Sequence, residues 1–200
     1  MNFTGEARKA TPADINAVAL SLGVEPAVFR SVISVEAAGS GFDKAKRPKA
    51  LFERHVFYRQ LSDAPGLRAN AVAENLAYVR WGTRPYPKTS DGVYKEIERA
   101  CAIDEEAALF STSWGLGQIM GSNYRLAGCA NVHEMVEGAK ASEAKQLEQM
   151  ASFIKNSGLA DELQKKNWAA FARGYNGPSY SKNAYDVKLA QAYSKLSGSA

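Results

Sequence analysis

Phe29-Arg30-Ser31-Val32-Ile33-Ser34-Val35-Glu36-Ala37-Ala38-Gly39 is the stretch on which the reading of this chain turns. At about 100° per residue, with Phe29 at zero, Val32 falls near −60°, Ile33 near +40° and Glu36 near −20°. Glu36 therefore projects from the middle of an apolar stripe, while Arg30, Ser31 and Ser34 take the opposite face. A glutamate loses hydration when it is buried, so the usual outcome is a raised pKa and a carboxyl that keeps its proton near neutral pH. Such a group at a helix end, followed by the small residues Ala37-Ala38-Gly39-Ser40-Gly41 that leave room for a bulky ligand, suits a general acid. The wheel alone also admits a helix-end residue that frays into solvent or pairs with an arginine.

Working outward, the chain reads as mostly helical. Thr11-Pro12-Ala13-Asp14 supplies a capping hydroxyl, a proline for the first helical position and a first-turn acid, and the helix they open stops at Gly23. A second helix is expected over residues 26–38, and others over 69–80 and 93–102, with 62–66 a loop and 82–92 an irregular bridge. Leu147, Met150, Ala151 and Ile154 form one later stripe, Trp168, Phe171, Ala172 and Tyr175 another, and Tyr185, Leu189, Ala192 and Leu196 the last. Ala50-Leu51-Phe52 suits a strand or a helix entry, and any sheet is expected to be small and to lie between Gly39 and Ser113. The fold class is therefore α+β, mostly α.

Composition narrows the function. The 200 residues are 46% hydrophobic and 10% aromatic, which excludes a disordered chain. No apolar run approaches the roughly 18 residues of a membrane span. Lys and Arg number 25 against 21 Asp and Glu, a net charge of +4. That favours an anionic polymer or envelope but is too small to argue for nucleic acid. Cys101 and Cys129 form no dense framework, and two free thiols or one disulfide both remain open. His55 and His133 have no Cys or second His at ligand spacing, which disfavours a zinc enzyme, and no metal or cofactor is expected. Met1 to Glu6 show no basic segment leading into an apolar one, so a cytoplasmic origin is expected.

Two further segments carry chemistry. Ser113-Trp114-Gly115-Leu116-Gly117-Gln118-Ile119-Met120-Gly121 brings glycines that admit close approach of a ligand, and Gln118 offers both donor and acceptor to sugar hydroxyls or acetamides. Phe171-Ala172-Arg173-Gly174-Tyr175-Asn176-Gly177-Pro178 ends a helix on a Tyr-Asn pair. Each also suits an ordinary turn or helix cap. Trp81, Tyr86 and Trp114 suit either sugar platforms or core.

Taken in order with Leu51-Phe52-Glu53-Arg54-His55, these blocks resemble the goose-type and lytic-transglycosylase branch of the lysozyme superfamily. More closely, they resemble the N-acetylmuramidase domain of phage endolysins, from about residue 10 to the C-terminus. The resemblance implies a single lysozyme-like catalytic domain over 1–200, with its core at about 10–197 and no separate wall-binding module. It implies cleavage of the β-1,4 bond between N-acetylmuramic acid and N-acetylglucosamine in peptidoglycan, by a monomer that does not insert into a membrane. It also implies synthesis in a host cytoplasm with action at the wall or periplasm. By this carry-over Glu36 protonates the departing oxygen, and Ser113, Gln118, Tyr175 and Asn176 line the glycan groove. Glycosidases usually need a second carboxylate, about 5–9.5 Å from the first. Glu53 ranks first, although it suits an ion pair equally well; Asp91, Glu98, Asp104 and Glu105 read as solvated acids. No second carboxylate is needed if the sugar's own 6-hydroxyl attacks, as in lytic transglycosylases. A non-catalytic wall-binding protein is the alternative from another class.

Overall fold

In the computed structural model, residues 2–36 and 39–198 are described; Ala37 and Ala38, the first small residues after Glu36, lie outside them. Eleven α-helices and one three-stranded sheet make up the described residues. Helix α1 (Pro12–Ser21) opens with the expected Thr11 cap, and Thr11 and Asp14 bond each other's backbone N–H groups, a capping box where the sequence predicted only the hydroxyl cap. Helix α2 (Pro26–Glu36) buries Val28, Phe29 and Val32. Ser31, expected on the outer face, is also fully buried, its hydroxyl satisfied by the carbonyl of Val28 at 2.6 Å. The helix is covered on more than one side, packing against both α1 and α11 (Tyr185–Ser197). α11 in turn packs on α10 (Trp168–Asn176), which brings the ends of α2 and α10 together.

The sheet differs in extent from the expectation. β1 (Ala50–Phe52) is a strand and pairs antiparallel with β2 (Thr112–Trp114), with Leu51 opposite Ser113. β2 then pairs with β3 (Ile119–Met120), so the sheet runs past Ser113. The glycine-rich block is the hairpin loop between β2 and β3, with Gly115 at φ +69° and Gln118 at φ +46°. β2 and β3, of three and two residues, are too short to show a period of two, which is why the pattern missed them.

Helix α3 (Arg54–Gln60) follows β1 directly. The helix expected over 69–80 is α4 (Pro65–Ala73), shifted toward the N-terminus because Pro65 occupies its first position. Asn75 at φ +60° ends it, and the N–H groups of Leu76 and Ala77 turn back onto the carbonyl of Ala71. α5 (Ser90–Ile103) begins earlier than expected because Thr89 caps it through the N–H of Gly92. α6 (Glu105–Phe110), α7 (Val132–Ala141), α8 (Glu143–Asn156) and α9 (Ala160–Gln164) complete the body. Among the described residues, no single helix is long and apolar enough to cross a membrane.

The segment between α4 and α5 is irregular but anchored. Buried Arg54 grips Glu96 with two bonds, of 3.0 and 2.7 Å, and donates to the carbonyls of Arg84 and Pro85. Breaking a buried pair leaves an uncompensated charge, at a cost of about 3–5 kcal/mol. Arg54→Ala should lower the chemical-denaturation midpoint accordingly and speed amide exchange around residues 84–90. Arg54→Met with Glu96→Leu should restore most of the midpoint; equal losses in both variants would contradict the pairing.

Candidate active site

Two cavities, of about 460 and 300 Å³, open on either side of Glu36, and both have Glu36 and Gln118 in their walls. The larger arm runs along β1 and residues 87–90, past Lys49, Leu51 and Lys88. The smaller runs along Met120, Phe153, Tyr175, Asn176 and Tyr185. Glu36 is the one carboxylate in the walls of either arm among the described residues.

The Glu36 carboxyl is placed by α10. Asn176, the last residue of that helix, donates Nδ2–H to Glu36 Oε2 at 2.9 Å. Glu36 Oε1 and Asn176 Oδ1 are both buried without a protein partner. Burial raises the Glu36 pKa above the ordinary carboxylate value, against the smaller opposing pulls of the Asn176 bond and the Lys188 ammonium. Oε2 accepts a hydrogen bond and Oε1 has no protein partner, so a proton on this carboxyl is best accommodated on Oε1. The arrangement can deliver one proton to an acceptor atom lying across the junction of the two arms.

The other expected groove residues divide. Tyr175 and Asn176 line the smaller arm. The Tyr175 hydroxyl donates to the carbonyl of Gly117 at 3.1 Å, and its ring packs on Phe171 and Phe153. Burial raises the phenol's pKa, with the Glu36 charge adding to the effect, so it stays a donor. Gln118 lies in both walls and is exposed, but its side chain also closes the hairpin, donating to the Gly115 carbonyl at 2.8 Å and accepting from Ser113 at 3.0 Å. Ser113 is buried behind Gln118 and lines neither arm.

Glu53 is not brought to Glu36's cavities. It stands at the head of α3, where Tyr86 donates to its Oε2 at 2.6 Å and His55 Nδ1 lies 3.2 Å from the same oxygen. Burial, and after it that bond, push the Tyr86 phenol up to about 12. Of the three candidate platforms, Trp114 is core, stacked on Phe3, Trp81 is exposed outside both arms, and Tyr86 is bound to Glu53. Cys101 and Cys129 are free thiols, and no group of three His, Cys, Asp or Glu side chains is placed to hold a metal among the described residues.

Against this geometry, a sequence profile for N-acetylmuramidase matches residues 25–197. The chain belongs to the N-acetylmuramidase family. Among solved structures, the crystal structure of the Burkholderia AP3 phage endolysin is similar at a TM-score of 0.86 and 39% identity, covering 96% of this chain and 72% of that one. A comparison with curated proteins gave no match. A muramidase is a peptidoglycan-degrading enzyme, and the lysozyme-like α+β fold expected from the sequence accords with that structural likeness.

Two residues of this muramidase were invisible to sequence reading and matter to the site. Glu143 and Gln146, three apart on one face of α8, grip Gly41 from both sides. Glu143 Oε1 accepts the Gly41 N–H at 2.8 Å, and Gln146 Nε2 donates to its carbonyl at 3.4 Å. Gln146 Oε1 also accepts the Leu116 N–H at 2.9 Å, tying the hairpin loop to the chain that follows α2. A Cβ on Gly41 would collide with the Gln146 side chain, which is the physical reason for glycine there. The Lys9 ammonium, at 2.9 Å, and the N–H groups of Gly41 and Ala10 outweigh burial and hold the Glu143 carboxyl below the ordinary range. Nothing in the spacing of Glu143 and Gln146 sets them apart from any helical i, i+3 polar pair.

Gln146→Leu strands the buried Leu116 N–H, and a group left unpaired in this way costs about 1–3 kcal/mol. A urea midpoint lowered by that amount is expected, together with reduced turnover. Glu36 gives a pH signature. Its folded pKa is raised, so its stabilising contribution is complete below the unfolded value and is lost as pH rises through the folded one. Glu36→Gln should therefore raise the thermal midpoint at neutral and alkaline pH, with the gain shrinking toward about pH 4. A gain that is the same at every pH would contradict the burial of this carboxyl.

Proposed function

We propose that this chain hydrolyses the β-1,4 bond between N-acetylmuramic acid and N-acetylglucosamine, with Glu36 as the general acid. The observation that carries the reading is a carboxyl, its pKa raised by burial, in the walls of both cleft arms. A polysaccharide laid along both arms puts an internal glycosidic oxygen beside the Glu36 side chain. Proton transfer to that oxygen lets the C1–O4 bond break, with positive charge developing on C1 and the ring oxygen. Water then adds to C1, and its proton returns to the Glu36 carboxylate or to solvent. Asn176 holds the carboxyl in place through Oε2.

In this reading Glu53 anchors the segment that forms the wall of the larger arm; its bonds to Tyr86 and His55 support that role over one as catalytic base. Gln118, Tyr175 and Asn176 touch the glycan, while Ser113 acts through Gln118. The likeness to a phage endolysin supports a cellular role in host lysis, with the enzyme made in the host cytoplasm and acting at the wall. Both arms come from one chain, which supports action as a monomer.

One observation favours a second reading. With a single carboxylate in the cleft walls, attack by the sugar's own 6-hydroxyl would need no protein base, and the enzyme would be a lytic transglycosylase. Mass spectrometry of products released from purified sacculi separates the two: hydrolysis leaves reducing muramic ends, and transglycosylation leaves anhydro ends lighter by one water. Reducing ends are expected. Glu36→Gln should lower the rate about 10²–10⁴-fold. Undiminished lysis by that variant would overturn the acid assignment, and an unmutated protein that binds sacculi without cutting them would make the chain a wall-binding protein.

A further inference from the structure

The two arms of the cleft differ in charge. The larger has Lys49 and Lys88 in its wall, with hydroxyls from Ser40, Thr89 and Ser90, and no acid but Glu36 at its inner end. The smaller has no cationic side chain in its wall; its only ionisable groups are Glu36 and the phenols of Tyr175 and Tyr185. Both lysines rise from fixed backbone. The carbonyl of Lys49 accepts the Gly115 N–H at 2.8 Å, and its N–H bonds the carbonyl of Gly41 at 2.8 Å. Lys88 lies between Tyr86, bound to Glu53, and Thr89, the cap of α5.

We propose that Lys49 and Lys88 make the larger arm the recognition site for a carboxylate carried on the muramyl side of the glycan, leaving the smaller arm to uncharged N-acetylhexosamine. The inference rests on the muramidase reading and deepens it, because it fixes the direction in which the strand lies across Glu36. Two carboxylates share this chemistry: those of the stem peptide in intact peptidoglycan, and that of the lactyl group once the peptide has been removed. A lysine is suited to either, being a mobile point charge with three donors rather than a planar fork. The second amino sugar of the repeat carries no charge, so it gains nothing from the larger arm and matches the neutral one.

The test is binding by the inert Glu36→Gln protein, with and without Lys88→Gln, measured calorimetrically at low salt. The ligands are soluble glycan fragments bearing stem peptides, the same fragments stripped by an amidase, and both sets with their carboxyls converted to amides. An exposed ion pair of this kind corresponds to a change of about 2–5-fold in Kd. Lys88→Gln should weaken binding by that factor for the carboxylate-bearing fragments and not for the amide-capped ones. The difference should shrink at high salt, and Lys88→Arg should restore most of it. Weakening on stripped fragments alone identifies the lactyl carboxylate, weakening on peptide-bearing fragments alone identifies the stem peptide, and weakening on both shows that the arm takes either. Equal affinities for all fragments with and without Lys88, or an equal loss on amide-capped ones, would overturn the proposal. Release of reducing ends from sacculi by the unmutated enzyme is scored separately, so failure of the muramidase reading is distinguishable from failure of this one.

Discussion

A carboxyl group at the end of a helix is ordinarily solvated and ionised, and at Glu36 partial burial opposes both. Burial withdraws water from the carboxylate, which favours the protonated form. The helix end adds to this, because the partial negative charge at a C-terminus disfavours a second negative charge beside it. The opposing contributions are modest: one amide hydrogen bond and the Lys188 ammonium on α11. A fully paired carboxylate would be an inert ion-pair member, as Arg54 makes of Glu96 elsewhere in the molecule. Here one oxygen is held and the other is left without a protein partner, which orients the group without pairing it to a cation.

Keeping that geometry requires three separate parts of the chain to meet. α11 lies between α2 and α10 and so sets the distance from Glu36 to Asn176. On the other side, α8 reaches across with Glu143 and Gln146 to fix Gly41 and Leu116, so that the chain following α2 and the hairpin loop share one anchor. The wall of the larger arm has its own anchors in Arg54 and Glu53. Buried polar side chains are costly unless satisfied, and Glu143, Gln146 and Arg54 each bond backbone groups of the irregular segments beside the cleft.

Much of this was legible in the sequence, for identifiable reasons. The Thr11 cap of α1 and the stripes of α8, α10 and α11 are local signals, and local geometry obeyed them. Glu36 was conspicuous because a charged residue interrupted an apolar stripe, and the structure half-buries it there. Ser31 was misplaced because a wheel shows one core-facing side and α2 is covered on more than one. α7 was overlooked although Val132, Met135, Val136 and Ala139 are buried at helical spacing behind the Asn131 cap. β2 and β3 carried no period to read. The roles of Glu143, Gln146 and Glu53 are long-range: their partners lie in segments whose positions only the assembled fold determines, so residue type and spacing could not assign them.

The measurement that bears most directly on the account is titration of the Glu36 side-chain carboxyl by carbon-detected NMR in the free enzyme. The account predicts a midpoint clearly above the ordinary glutamate value of about 4.3. It also predicts a further rise in Asn176→Ala, where the hydrogen bond that favours the anion is lost. A midpoint at or below the ordinary value would mean that Glu36 is an ionised surface carboxylate near neutral pH, and the assignment of the cleft's proton donor would fail.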